Sequence, residues 1–153
     1  MKLYFNFNLG EGLKNILESL EKFFKGDPHF KHWVAYDKDI PFGYLLTSEI
    51  PKGSPEDEYA PFCKEKGKAI TLDLFICDLN YLGKGLSVAM IQEFLLTQFP
   101  DVTEVFIDPE ASNTRAVHVY EKAGFQIIDE FIASATLQDR NNSCFWIPTT
   151  VIR

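Results

Sequence analysis

The chain is poor in residues that cross-link or chelate. Its 153 residues include only three cysteines, Cys63, Cys77 and Cys144, without C-x-x-C spacing. An odd, scattered set excludes a disulfide framework and fits free thiols in a reducing cytoplasm. Cys77, inside an apolar run, reads as a small core residue. The three histidines, His29, His32 and His118, make no metal motif, so no metal is expected. No apolar run approaches the length of a membrane span. The first eight residues alternate polar and apolar, which reads as a strand rather than a signal peptide. Basic residues are in deficit, 15 against 22 acidic, for a net charge of −7. A phosphate backbone calls for a basic face, so nucleic acid is not an expected partner; nor, without a membrane-length apolar run, is a membrane. The same charge suits a cationic substrate, and it equally serves solubility. The sequence has no G-x-G-x-x-G fingerprint and no P-loop. It has no internal repeat, linker or low-complexity stretch.

What is present has the size and composition of one domain with a core, residues 1–153. Leu13, Ile16, Leu17, Leu20 and Phe24 share one helical face, so residues 12–25 read as an amphipathic helix stopped by Gly26-Asp27-Pro28. Strands are expected at 33–36 and 42–46, joined by a turn at 37–41. Residues 49–68, polar and rich in Pro and Gly, read as a long surface loop. A strand follows at 69–79, a helix at 85–99, a strand at 104–108 and a helix at 113–123. Ser112 or Asn113 caps that last helix, and Gly124 ends it. Strands close the chain at 125–134 and 144–152, the second marked as edge or bulged by Pro148. This order gives a mixed α/β sheet in one domain.

Two segments carry chemistry. Leu82-Gly83-Lys84-Gly85-Leu86-Ser87 joins a strand to a helix. Its glycines let a ligand approach the backbone, and the first-turn N–H groups and helix dipole favour an anion. Many such turns carry glycine for geometry alone. The second segment, from Asn113 to Phe125, reads N-x-R-A-x-x-x-Y-E-K-A-G-F. Together they resemble the GNAT superfamily of N-acetyltransferases, most of all the aminoglycoside 6′-N-acetyltransferases. The likeness is clear from Trp33 to Phe125. Leu82 and Ser87 depart from that superfamily's usual [QR]-x-x-G-x-[GA] loop, the segment before Trp33 is short, and residues 133–153 do not match.

The resemblance implies a mostly antiparallel sheet flanked by helices, acetyl-CoA as cosubstrate, and a small cationic amine as acceptor. Direct transfer in a ternary complex is expected, because no residue is clearly placed as a covalent nucleophile. Coenzyme contacts fall on Phe75, Ile76, Leu82, Gly83, Lys84, Gly85, Leu86, Ser87, Asn113 and Ala116. Lys84 reads equally as an exposed lysine, and Asn113 as an N-cap. Asp73 stands alone in the apolar strand Ile70 to Ile76; on pattern alone it is a residue of the solvent face, and the resemblance makes it amine binder and general base. Tyr120 reads as a core tyrosine or, by resemblance, as the acid that protonates the leaving thiolate. Asp108, before Pro109, is a turn residue or a wall of the acceptor pocket. Glu58, in the run Glu56-Asp57-Glu58, is solvated or draws in a polycation. The chain is expected to act as a monomer or homodimer. Rival readings are acylation of a siderophore precursor or other amine metabolite, protein N-acetylation, and non-catalytic acyl-CoA binding. Retained Asp73 and Tyr120 speak against the last.

Overall fold

The short polar turn at Lys38-Asp39 builds the first hairpin. In the computed structural model, β1 (Phe30–Asp37) and β2 (Ile40–Glu49) pair antiparallel, with Lys38 at φ 56° in the turn. The structure describes residues 18, 21–22, 25–26, 29–51, 53, 59–64, 66–132 and 141–148. β2 pairs antiparallel with β3 (Lys68–Ile76), which pairs parallel with β4 (Val102–Ile107). A parallel pair needs a crossover, and α1 (Leu86–Gln98) supplies it. α2 (Thr114–Ala123) then leads to β5 (Gln126–Ile132) and β6 (Asn141–Pro148). The sheet order is β1-β2-β3-β4-β6-β5.

Strand alternation gives the sheet two different faces. Leu45, Ile70, Leu72, Val105 and Ile107 point to one side and form the main core with Ile91, Phe94 and Leu95 of α1 and Tyr120 and Ala123 of α2. Ala69 and Phe106 point to the other, where Ile50 and Tyr59 cover them.

One irregularity sets up the site. The β3–β4 ladder runs from Lys68↔Val102 to Thr71↔Phe106 and stops. β3 continues to Ile76, paired there only with β2. β4 ends at Ile107, because the following Asp108-Pro109 cannot extend a ladder: proline has no N–H to donate. The edge of β3 from Leu72 to Ile76 is therefore left without a strand partner among the described residues.

Several sequence expectations shift. The expected strand at 69–79 ends at Ile76; Leu79–Tyr81 is a 3-10 turn, capped by Asp78, whose Oδ1 accepts from Asn80 N–H at 2.8 Å. The segment expected as a loose surface loop is anchored at both ends. Ile50 and Tyr59 are buried, and the fully buried Glu104 carboxylate accepts from Lys64 N–H at 3.0 and 3.2 Å. The last strand is not an edge. β6 lies between β4 and β5, and Pro148 is its final residue, opposite Glu104, where a missing donor costs least. In the expected first helix, Glu18, Glu21 and Lys22 are helical; its apolar face and the expected strand at 1–8 lie outside the described residues.

Candidate functional site

Where β3 and β4 part, three titratable groups from three elements act on one another. Asp73 lies two residues beyond the last paired rung of β3, and Asp108 two beyond that of β4. Asp73 is exposed to water as a whole residue, yet protein crowds its carboxyl. That desolvation, and then the charge of Asp108, raise its pKa from 3.8 to about 6. Tyr120, on the inward face of α2, is buried at 7% exposure against Phe125, ring centroids 6.0 Å apart. Desolvation, then Asp73, then Asp108 push its phenol well above the ordinary tyrosine range. The phenol stays neutral and keeps its proton.

The second part of the site lies at the start of α1. Gly83 and Gly85 both have φ of 73°, a left-handed conformation in which side chains are strained. Gly85 is the helix N-cap and, having no side chain, caps nothing; a Cβ built on it meets no atom within 4 Å. No side-chain cap therefore occupies the first-turn N–H groups. Lys84 Nζ rests over the Tyr81 ring, 5.6 Å from its centre. Tyr81 in turn stacks on Phe42 and donates to Asp37 at 3.1 Å. Leu82 is exposed, and Leu86 and Ser87 are half-buried, as are Phe75, Ile76 and Ala116. Asn113 is the N-cap of α2, its Oδ1 accepting from Ala116 N–H at 3.2 Å; its amide NH2 group is not used in the cap.

The fold thus gathers Asp73, Asp108 and Tyr120 at the parting, with the glycine loop and the start of α2 beyond. Glu58 lies outside the described residues. A hollow of about 610 Å³ between the β1–β2 hairpin and α1, lined by Phe42, Met90, Glu93 and Phe94 among others, holds none of the candidate residues. Three residues without an assigned role in the sequence reading stand out. His32 and Tyr44 form a buried pair, Nδ1 to Oη 2.6 Å, on the Asp73 face of the sheet. Only the cross-strand register reveals it. Arg115 was visible inside the N-x-R-A motif, but its place beside Gly83 depends on the fold. Among the described residues no cluster of His, Cys, Asp and Glu is arranged to hold a metal, and no helix is long and apolar enough to cross a membrane.

Comparison with known proteins identifies the family. The acetyltransferase (GNAT) domain family matches residues 5–132, and the chain belongs to that family. An aminoglycoside N(6′)-acetyltransferase structure from Legionella pneumophila subsp. pneumophila str. Philadelphia 1 is 50% identical, with a TM-score of 0.78 over 94% of this chain and 78% of that one. The aminoglycoside acetyltransferase AAC(6′)-Ib, solved in complex with coenzyme A, is 25% identical, with a TM-score of 0.62 over 80% of this chain and 68% of that one. Among curated proteins, an aminoglycoside N(6′)-acetyltransferase type 1 from Klebsiella pneumoniae is 40% identical over 57 residues. That match spans 36% of this chain and 28% of the relative's length.

Proposed function

We propose that this chain transfers the acetyl group of acetyl-CoA directly to an amine of a small polycation of aminoglycoside type. The observation that carries the reading is the convergence of Asp73, Asp108 and Tyr120 where β3 and β4 part, with an anion-accepting helix start beyond.

The coenzyme's pyrophosphate lies against the backbone from Gly83 to Ser87, where the helix dipole and unshielded N–H groups favour it. Its arm follows the edge of β3 that β4 leaves, past Phe75 and Ile76, toward Asp73. Leu82, Lys84, Leu86, Asn113 and Ala116 frame that path. The acceptor arrives as an ammonium, since aliphatic amines hold their proton at neutral pH. Asp73 and Asp108 attract it, and Asp73 takes a proton, directly or through water. The freed nitrogen lone pair attacks the thioester carbonyl, the C–S bond breaks as the tetrahedral intermediate collapses, and Tyr120 gives its proton to the departing sulfur; the second proton that the nitrogen sheds passes through water to restore the phenol. Both carboxylates oppose ionisation of the phenol, so a cation bound between them makes Tyr120 a better acid. Acceptor charge and catalysis are thereby coupled.

The same reading places one catalytic domain in the cytoplasm, as monomer or homodimer, with no metal. Glu58 is assigned to the acceptor side. Coenzyme release measured against a panel of amines tests the reading. Release with kanamycin-like aminoglycosides supports it. Release with an N-terminal peptide alone points to protein acetylation, and release with a hydroxylamine metabolite alone to a siderophore precursor. No release at all, with tight acetyl-CoA binding, leaves a binding module.

A further inference from the structure

We infer that Arg115 is a ligand of the coenzyme's pyrophosphate, closing from the α2 side the anion site that the Gly83–Ser87 backbone opens. The inference rests on the acetyl-CoA reading above and adds to it a side chain from a second element.

The observation is the place of the guanidinium. A Cβ built on Gly83 has Arg115 Nη2 as its nearest neighbour, at 3.7 Å. Gly83 therefore does two things: it takes the left-handed φ of 73°, and it leaves bare backbone beneath a cation. Arg115 lies in the first turn of α2, two residues past the Asn113 cap, and is exposed. The Arg115 side chain thus reaches from the first turn of α2 to the loop that precedes α1. Arg115 is also uncommitted. In a chain with 22 acidic residues, the ion pairs among the described residues join Lys25 to Glu21, Lys31 to Glu49 and Lys68 to Asp101; none uses Arg115. The loop's own cation is engaged elsewhere, Lys84 lying over Tyr81. A planar guanidinium with five donors can bridge two phosphate oxygens, which a lysine cannot do with the same geometry.

The test measures kcat/KM of the full chain, wild type, Arg115→Ala and Arg115→Lys, with three acetyl donors: acetyl-CoA, 3′-dephospho-acetyl-CoA and acetyl-pantetheine. A charge-assisted hydrogen bond to phosphate corresponds to a loss of roughly 10- to 100-fold in Arg115→Ala. That loss is expected with acetyl-CoA and with the 3′-dephospho form alike, and absent with acetyl-pantetheine, which has no pyrophosphate. Arg115→Lys recovers part of it, and added salt shrinks the gap between wild type and alanine variant. An equal loss with acetyl-pantetheine, or no loss with any donor, overturns the inference. A loss that disappears with the 3′-dephospho donor also overturns it, since Arg115 would then read the 3′-phosphate. If wild type uses none of the three donors, the acetyl-CoA reading itself fails.

Discussion

Asp73 and Asp108 stand on either side of the point where β3 and β4 separate, and the charge on Asp108 raises the proton affinity of Asp73. Two carboxylates held together in this way are destabilising unless a cation comes between them. An arrangement that costs stability in the empty protein is therefore suited to an ammonium substrate.

The first prediction concerns the base. Asp73→Asn lowers kcat by roughly 10² to 10⁴, the range of general-base effects, while acetyl-CoA binding by calorimetry stays near wild type. Unchanged turnover would remove Asp73 from the mechanism. The same variant has a thermal signature. The folded pKa of Asp73 lies above its ordinary value, so the folded state holds this proton more tightly than the unfolded chain. Folding is favoured as pH falls through about 6 toward 3.8, and above about 6 the ionised carboxylate works against it. Asp73→Asn is accordingly expected to melt above wild type at pH 8, and to lose that advantage near pH 4.

The pH profile gives the second. With Asp73 as base, kcat/KM falls as pH drops below about 6. Asp108→Asn removes the like charge that raises this pKa, so the acidic limb moves to lower pH. The same substitution raises KM for a polycationic acceptor more than it lowers kcat, and it weakens the salt dependence of that KM. An acidic limb that stays in place in Asp108→Asn would dissociate the two carboxylates.

For the acid, Tyr120→Phe keeps the ring and its contact with Phe125 but loses the proton donor. Transfer slows by roughly 10² or more with near-normal coenzyme affinity. Donors with a more acidic thiol leaving group recover part of the rate. Wild-type rates across the pH range would leave Tyr120 as a core residue only.

The helix start gives a binding prediction. Acetyl-CoA at a hundredfold excess over Kd stabilises the wild-type fold by about 2.7 kcal/mol, read as a rise in Tm. Gly85→Glu puts a side chain on a left-handed residue and a negative charge at the helix start proposed to hold the pyrophosphate. Its melting point should no longer respond to the coenzyme.

The last prediction is structural. Glu104 is fully buried, and its two oxygens hold Lys64 N–H. Glu104→Ala should destabilise by roughly 1–3 kcal/mol in chemical unfolding, the usual cost of losing a buried hydrogen-bond acceptor. Acetyl-CoA affinity of the folded fraction should be unchanged, because the anion loop is on another part of the chain.

The sequence alone was enough for those features whose causes are local. Asn113 caps α2 and Gly124 ends it in a left-handed turn, because both preferences act within a few residues. Gly83 and Gly85 mark the loop because their φ values suit glycine. Asp73 stood out as a carboxylate in an apolar run. What only the tertiary structure decided depends on partners far apart in the chain. Strand pairing put β6 between β4 and β5, against the edge position that Pro148 suggested, because a proline at a strand's last residue forfeits little. Burial in the folded protein, together with the charge of Asp108, set the proton affinity of Asp73. The packing of α2 brought the Arg115 guanidinium beside Gly83, thirty-two residues earlier in the chain. None of these follows from residue type or spacing, since each is fixed by which surfaces the folded sheet and helices press together.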